Sequence, residues 1–130
     1  MGETENKASV ERMWYAFDAR KFERAADELH EHFIAEWPHS GERIRGRDNF
    51  IAVNRDHPDP WTSIEVRRLV AEGDVVVSEV AVHVEGSNPV HAASFFEFEH
   101  GKIIRLTEYW VDARSQEPYA SRRGLTEPMS

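Results

Sequence analysis

Residues 64–111 read IEVRRLVAEGDVVVSEVAVHVEGSNPVHAASFFEFEHGKIIRLTEYWV. Four β-rich runs in this stretch, 64–71, 75–84, 90–98 and 103–111, are separated by Gly73-Asp74, Gly86-Ser87-Asn88-Pro89 and His100-Gly101. Gly, Asn and Asp supply the left-handed backbone of tight hairpins, so the runs predict an antiparallel meander. With Gly73-Asp74 as a two-residue turn, Glu72 faces Val75, Val70 faces Val77, Arg68 faces Glu79, Val66 faces Ala81 and Ile64 faces His83. One face then carries Ile64, Val66, Val70, Val75, Val77 and Ala81, interrupted by Arg68, Glu79 and His83. The other carries Glu65, Arg67, Leu69, Ala71, Val76, Ser78, Val80 and Val82. The first face is assigned to the interior, because its charges form an opposite-sign cross-strand pair. One bulge inverts that assignment. On the later runs, Ala92, Ser94, Phe96 and Phe98 share an inward face, as do Ile104, Leu106, Glu108 and Trp110.

Upstream the period changes. Val10, Met13, Trp14 and Phe17 fall at i, i+3, i+4 and i+7, which predicts a helix over 8–18. Phe22, Ala25, Ala26 and Leu29 repeat the spacing in a second helix. A short strand over 33–37 is stopped by Pro38 and followed by the turn His39-Ser40-Gly41. A short helix over 48–55 buries Phe50, Ile51 and Val53 and ends before Pro58 and Pro60. The first six residues are polar and expected to fray, and 115–124 suits one short helical turn stopped by Gly124. Helices first and strands second is the α+β pattern, helices packed on one face of a sheet. The expectation is a single domain over 1–130, with a core at about 8–112 and a polar tail at 113–130.

Composition limits the function classes. The 130 residues include 16 Lys+Arg against 24 Asp+Glu, a net charge of −8, which argues against nucleic-acid partners. No apolar run approaches the roughly 20 residues that span a bilayer, so no membrane association is expected. No charged-then-apolar leader opens the chain, and Gly2 lacks the downstream hydroxyl of a lipidation motif, Asn6 standing there. The absence of cysteine removes disulfides, thiolate catalysis and cysteine-ligated zinc. A cytoplasmic protein without a cofactor is the expectation.

Two or three leading helices, a short strand ending in Glu36-Trp37-Pro38, a helix entered through Gly46-Arg47-Asp48, and a meander closing on His100-Gly101-Lys102-Ile103-Ile104 together resemble one family. It is the SnoaL-like branch of the nuclear transport factor two-like superfamily, and the likeness runs over residues 8–112. The resemblance implies a cone-shaped α+β barrel, with a strongly curved antiparallel sheet wrapped around the N-terminal helices and a deep apolar pocket between them. It also implies a homodimer through the outer sheet face. Members include polyketide cyclases, ketosteroid isomerase, limonene epoxide hydrolase, scytalone dehydratase and pure binding modules, so fold alone does not assign function. At the positions the resemblance ties to isomerase catalysis stand Trp37 for the general-base Asp, Met13 for the Tyr and Ser94 for the protonated Asp. Steroid isomerisation is therefore not expected. Glu79, Arg68 and Glu108 imitate, with longer side chains, the Asp-Arg-Asp set of the epoxide hydrolases.

Glu108, between Leu106 and Trp110 on an inward face, is the leading catalytic candidate, because such a carboxyl should be pushed up in pKa and become an acid or base. The bland reading is a salt bridge to Arg68. Glu79 is its candidate partner and Arg68 an anion stabiliser, although a charge pair on a sheet is more often structural. Ser94, Phe96, Leu106, Tyr15 and His83 complete the candidate lining, and the resemblance implies Trp37 and Trp110 as pocket walls that stack on a flat ligand. No metal is expected: the His30-Glu31-His32 spacing puts two imidazoles on one face only in a strand. Arg43-Ile44-Arg45-Gly46-Arg47 reads as a basic loop, and outward Leu69, Val76, Val80 and Val82 as a dimer patch. Two functions remain open: an acid/base enzyme of cyclase, isomerase, dehydratase or hydrolase type acting on a small apolar oxygenated molecule, or a module that binds a small molecule or protein without chemistry.

Overall fold

The computed structural model describes residues 2–58, 60–113 and 116–129. Helices α1 (Glu3–Asp18) and α2 (Phe22–Ala26) lead into strands β1 (Leu29–Trp37) and β2 (Glu42–Arg45), helix α3 (Arg47–Arg55), and strands β3 (Trp61–Glu72), β4 (Val75–Val84), β5 (Val90–Glu99) and β6 (Lys102–Asp112). Among the described residues these strands form one curved sheet in the order β2-β1-β6-β5-β4-β3. The expected α+β architecture is present, with the helices packed on the sheet's inner face. The sheet is mixed, because β1 runs parallel to β6 while every other neighbouring pair is antiparallel.

The apolar stripe of α1 does what its period predicts: Val10, Met13, Trp14 and Phe17 are all buried. Of the polar start expected to fray, Glu3 to Asn6 are helical, and Met1 lies outside the described residues. Glu3 accepts the Gly73 N–H at 2.7 Å, tying the helix to the β3–β4 turn, and a carboxylate in the first turn also favours the helix dipole. Ser9 is buried and donates to Glu28 at 2.7 Å, and Arg12 donates to both Glu28 oxygens. Burial works against ionising Glu28, but the Arg12 and Ser9 hydrogen bonds outweigh it and hold its carboxyl below the usual range.

Leu29 does not end a second helix; it opens β1 opposite Ile103. The expected basic loop is instead β2, whose Ile44 turns inward while Arg43 pairs outward with Glu36 at 2.7 Å. Strand alternation separates them. In α3 Phe50 and Ile51 are buried, but Val53 is exposed. A 3-10 turn spans Ala120–Arg122, and Gly124 follows at φ +82°; Ser115, the expected start of that turn, lies outside the described residues.

Two bulges correct the face assignments. The first hairpin keeps its expected register from Glu72–Val75 to Arg68–Glu79, then slips, so that Val66 meets Val80, Ile64 meets Val82 and Ser63 meets His83. The covered face is the one assigned outward: Val76, Ser78, Val80 and Val82 are buried, with Leu69 and Ala71 packed against the core. The extra residue lets Ile64 and Val66 turn inward too, despite lying on the opposite alternation from Leu69. Leu69, Val76, Val80 and Val82 are therefore not a dimer patch, and Arg68 and Glu79 face outward. A second bulge at Ile104 places Ile103 opposite Phe98 and Arg105 opposite Glu97, so Ile103 takes the buried position expected for Ile104.

Phe33 is fully buried, its ring 5.0 Å from that of Phe50, where β1 meets α3. Phe33→Ala should cost about 3–5 kcal/mol in urea unfolding, the transfer loss of the ring plus its cavity. A loss below about 1 kcal/mol would mean that the β1–α3 junction is not part of the cooperative core.

Candidate functional site

Glu108 is buried on the inner face of β6, 1% exposed. The ladder supplies both its partners. Across β5 it lies directly opposite Ser94, whose hydroxyl donates to Oε2 at 2.8 Å. On the other side the parallel register pairs Ala35 with Leu106 and Glu36 with Thr107, which brings Trp37 alongside, and the Trp37 indole N–H donates to Oε1 at 3.0 Å. Ser94 is in turn opposite Ser78 on β4, and Ser78 accepts the Trp14 indole N–H at 3.1 Å. A polar row thus crosses the inner face from Trp37 through Glu108, Ser94 and Ser78 to Trp14. Burial pushes the Glu108 carboxyl above the usual range, and the Ser94, Trp37 and Trp110 side chains pull it back without cancelling the shift.

Beside this row, at the end of the sheet where β1, β4 and β6 finish and β3 and β5 begin, lies a cavity of about 740 Å³. Trp14, Trp37, Trp61 and Trp110 all line it, which accounts for every tryptophan in the chain. Phe17, Ile64, Val82, Val84 and Val90 add apolar wall, and His39, Asn54, His57, Glu85, Ser87, Asn88 and Asp112 carry its polar groups. Trp61 enters from the start of β3, where its indole donates to the Phe17 carbonyl at 3.1 Å and Arg20 lies 4.7 Å over its ring. Sequence periodicity missed Trp61 because it follows Pro60 at a strand's first residue, before any alternation is established. The Pro58/Pro60 break was the available signal, since it returns the chain from α3 to the sheet beside α1.

The expected set is only partly brought together. Trp37 and Trp110 line the cavity, and Ser94 touches Glu108, which lies behind that wall rather than on it. Phe96 and Leu106 are fully buried core residues. Glu79 and Arg68 do pair, at 2.9 Å, but on the outer face, with side chains 39% and 78% exposed. They are not inside the pocket, because the bulged hairpin presents its other face to α1. Tyr15 is on the exposed side of α1, and His83, opposite Ser63, follows the outward alternation of β4; neither lines the cavity. His30 and His32 do share a strand face, with rings 5.5 Å apart, but among the described residues no group of three or more His, Asp or Glu is arranged to hold a metal ion. No described helix is long and apolar enough to cross a membrane.

The Glu108 shift has a definite sign. A carboxyl whose folded pKa is raised binds its proton more tightly in the folded state, so its contribution is fully present below the ordinary glutamate range. It is lost as pH rises from that range through the raised value. Glu108→Gln can still accept from Trp37 and donate to Ser94, and should flatten this decline. Thermal unfolding across pH checks it: the variant should gain relative to the parent on the alkaline side, and an unchanged slope would contradict the assignment.

The SnoaL-like domain profile matches residues 10–106. No functionally curated protein sequence matches the chain. Among solved structures, an NTF-2 like protein of unknown function from Burkholderia xenovorans LB400 is 30% identical, with 98% of each chain covered and a TM-score of 0.83. A “putative ketosteroid isomerase” from Kribbella flavida DSM 17836 is 26% identical, covering 98% of this chain and 92% of its own, with a TM-score of 0.86. An M. tuberculosis LEH-like epoxide hydrolase, 21% identical over 84% of each chain with a TM-score of 0.71, shares the fold. With three-quarters of its length matched and its helices and sheet arranged as in these structures, the chain belongs to the SnoaL-like family, on an NTF2-like fold.

Proposed function

We propose that the cavity binds a small, flat, largely apolar molecule with a polar end. The observation that carries this is the convergence of four tryptophans, from α1, β1, β3 and β6, on one cavity of about 740 Å³ with polar residues among its lining. That volume lies within the range of small-molecule sites, and flat aromatic walls favour stacking over random apolar contact. Glu108 acts in this reading as a positioning residue: its hydrogen bond fixes the Trp37 indole in the wall. Titration of tryptophan fluorescence with flat polycyclic phenols and ketones tests it. Trp37→Ala should weaken the tightest of them at least about tenfold, in line with losing one stacked aromatic surface. Millimolar affinity for every member, or an unaltered affinity in Trp37→Ala, would sink the reading.

Acid/base catalysis by Glu108 is the second reading, favoured by its raised pKa and its place directly behind the cavity wall. Glu108 is buried, so the carboxyl touches a ligand only if the side chains around it move aside. Isomerase, cyclase and hydrolase chemistry are all consistent with the family, and the two readings separate cleanly. Glu108→Gln preserves affinity in both, but abolishes turnover only in the second.

We also propose a homodimer through the outer sheet face. Phe95 and Tyr109 meet edge to face there, with ring centroids 6.1 Å apart, and Val111, Val70 and Val75 extend the exposed apolar surface. Light scattering at micromolar concentration should give twice the chain mass, and a monomer would contradict this.

A further inference from the structure

We propose that the tryptophan cavity selects a ligand whose polar end is a cationic nitrogen, an alkylated or aromatic ammonium, over neutral or anionic molecules of the same shape. The inference rests on the reading of the cavity as a ligand site and goes further by assigning the charge of the ligand.

The first ground is where the indole N–H groups go. Trp14 donates to Ser78 at 3.1 Å, Trp37 to Glu108 at 3.0 Å and Trp61 to the Phe17 carbonyl at 3.1 Å. The Trp110 indole also pulls on the Glu108 carboxyl. Three of the four indole donors are thus committed to protein acceptors, so what those tryptophans can offer a ligand is ring surface. Ring faces carry negative quadrupole density, and indole is the strongest cation-binding ring among the side chains. On the ring faces themselves an anionic or acceptor-rich ligand finds no donor; the donors of the lining stand on its polar side chains, Ser87 and Asn88 among them.

The second ground is the charge of the lining. Among the described residues that line the cavity there is no Lys or Arg, whereas Glu85 and Asp112 are both present. The ladder sets these acids on one side of the opening: Asp112 is opposite Val90, Val90 is opposite Val82, and Glu85 follows the end of β4. Asn54 commits one of its two amide N–H donors to the Phe50 carbonyl at 2.8 Å, and its carbonyl oxygen is an acceptor it can present. The nearby cations Arg20 and Arg55 belong instead to a separate surface groove with Phe22. Arg20, over the Trp61 ring at 4.7 Å, already uses one of these indoles as a cation partner from outside the cavity.

The test compares three probes with one flat body: a naphthyl-trimethylammonium salt, its neutral tert-butyl isostere, and the naphthoate. Affinity is read by calorimetry or tryptophan quenching. The ammonium should bind about tenfold more tightly than the neutral isostere, as a desolvated cation–ring contact provides, and more tightly again than the naphthoate. In Glu85→Gln/Asp112→Asn the margin over naphthoate should shrink and lose its salt dependence, while the margin over the neutral isostere persists, because exposed carboxylates are screened and ring faces are not. Equal binding of ammonium and isostere, or tighter binding of naphthoate, overturns the inference and leaves the cavity reading standing. Failure of all three to bind overturns the cavity reading and the charge assignment with it.

Discussion

A carboxyl buried in the middle of a sheet has to be held by donors or stay neutral, and the inner face of this protein is arranged around that requirement at Glu108. Its two oxygens are taken by β5 through Ser94 and by β1 through Trp37, so one side chain links strands from the beginning and the end of the chain. The same contact orients the Trp37 ring in the cavity wall. Ser78 and Trp14 continue the row, so α1 is registered against the sheet by a directional bond as well as by apolar packing. Among the described residues no buried side-chain polar atom lacks a partner, so the row is a satisfied network that specifies one arrangement of helix and strands.

How much of this was legible in the sequence depended on whether the determining contacts were local. The β5 inner set was readable, since Ala92, Ser94, Phe96 and Phe98 alternate without interruption, and so was that of β6 from Leu106 onward, the bulge at Ile104 shifting only its start. Glu108 stood out for the same reason, as a carboxylate on an otherwise apolar alternation. The first hairpin misled because both its faces carry valines, and hydrophobic alternation then cannot choose between them. The extra residue at Arg67 finally let the core draw on both. The end of β1 was readable as a strand over 33–37, but its start at Leu29 and its parallel pairing with β6 leave no local mark, because the partner of Leu29 and Ala35 lies in β6.

The site was legible residue by residue but not as a place. Carboxylates attract notice in a sequence, and Glu79 and Arg68 drew it although their pair lies on the outside. Tryptophans distributed over four elements do not announce a common destination, and Trp61 has no periodic context. The family relationship supplies the frame, helices on a curved sheet. In this chain ring surface at Trp37 walls the cavity, and the buried Glu108 carboxyl is held behind it.

The parallel seam between β1 and β6 also sets an order of events. Everything from β3 to β6 can zip together through neighbouring hairpins, each closing a short loop. Leu29 and Ala35, by contrast, have to wait for Ile103 and Leu106, and until β6 is made one edge of β1 is unpaired and the Trp37 indole lacks its Glu108 acceptor. Loop-closure entropy makes such a long-range pairing slow relative to the hairpins. The nascent chain therefore carries β1 paired on one edge only, with β2, until β6 is made, and a shortened chain that lacks β6 would lose the strand that joins β1 and β2 to the rest of the sheet.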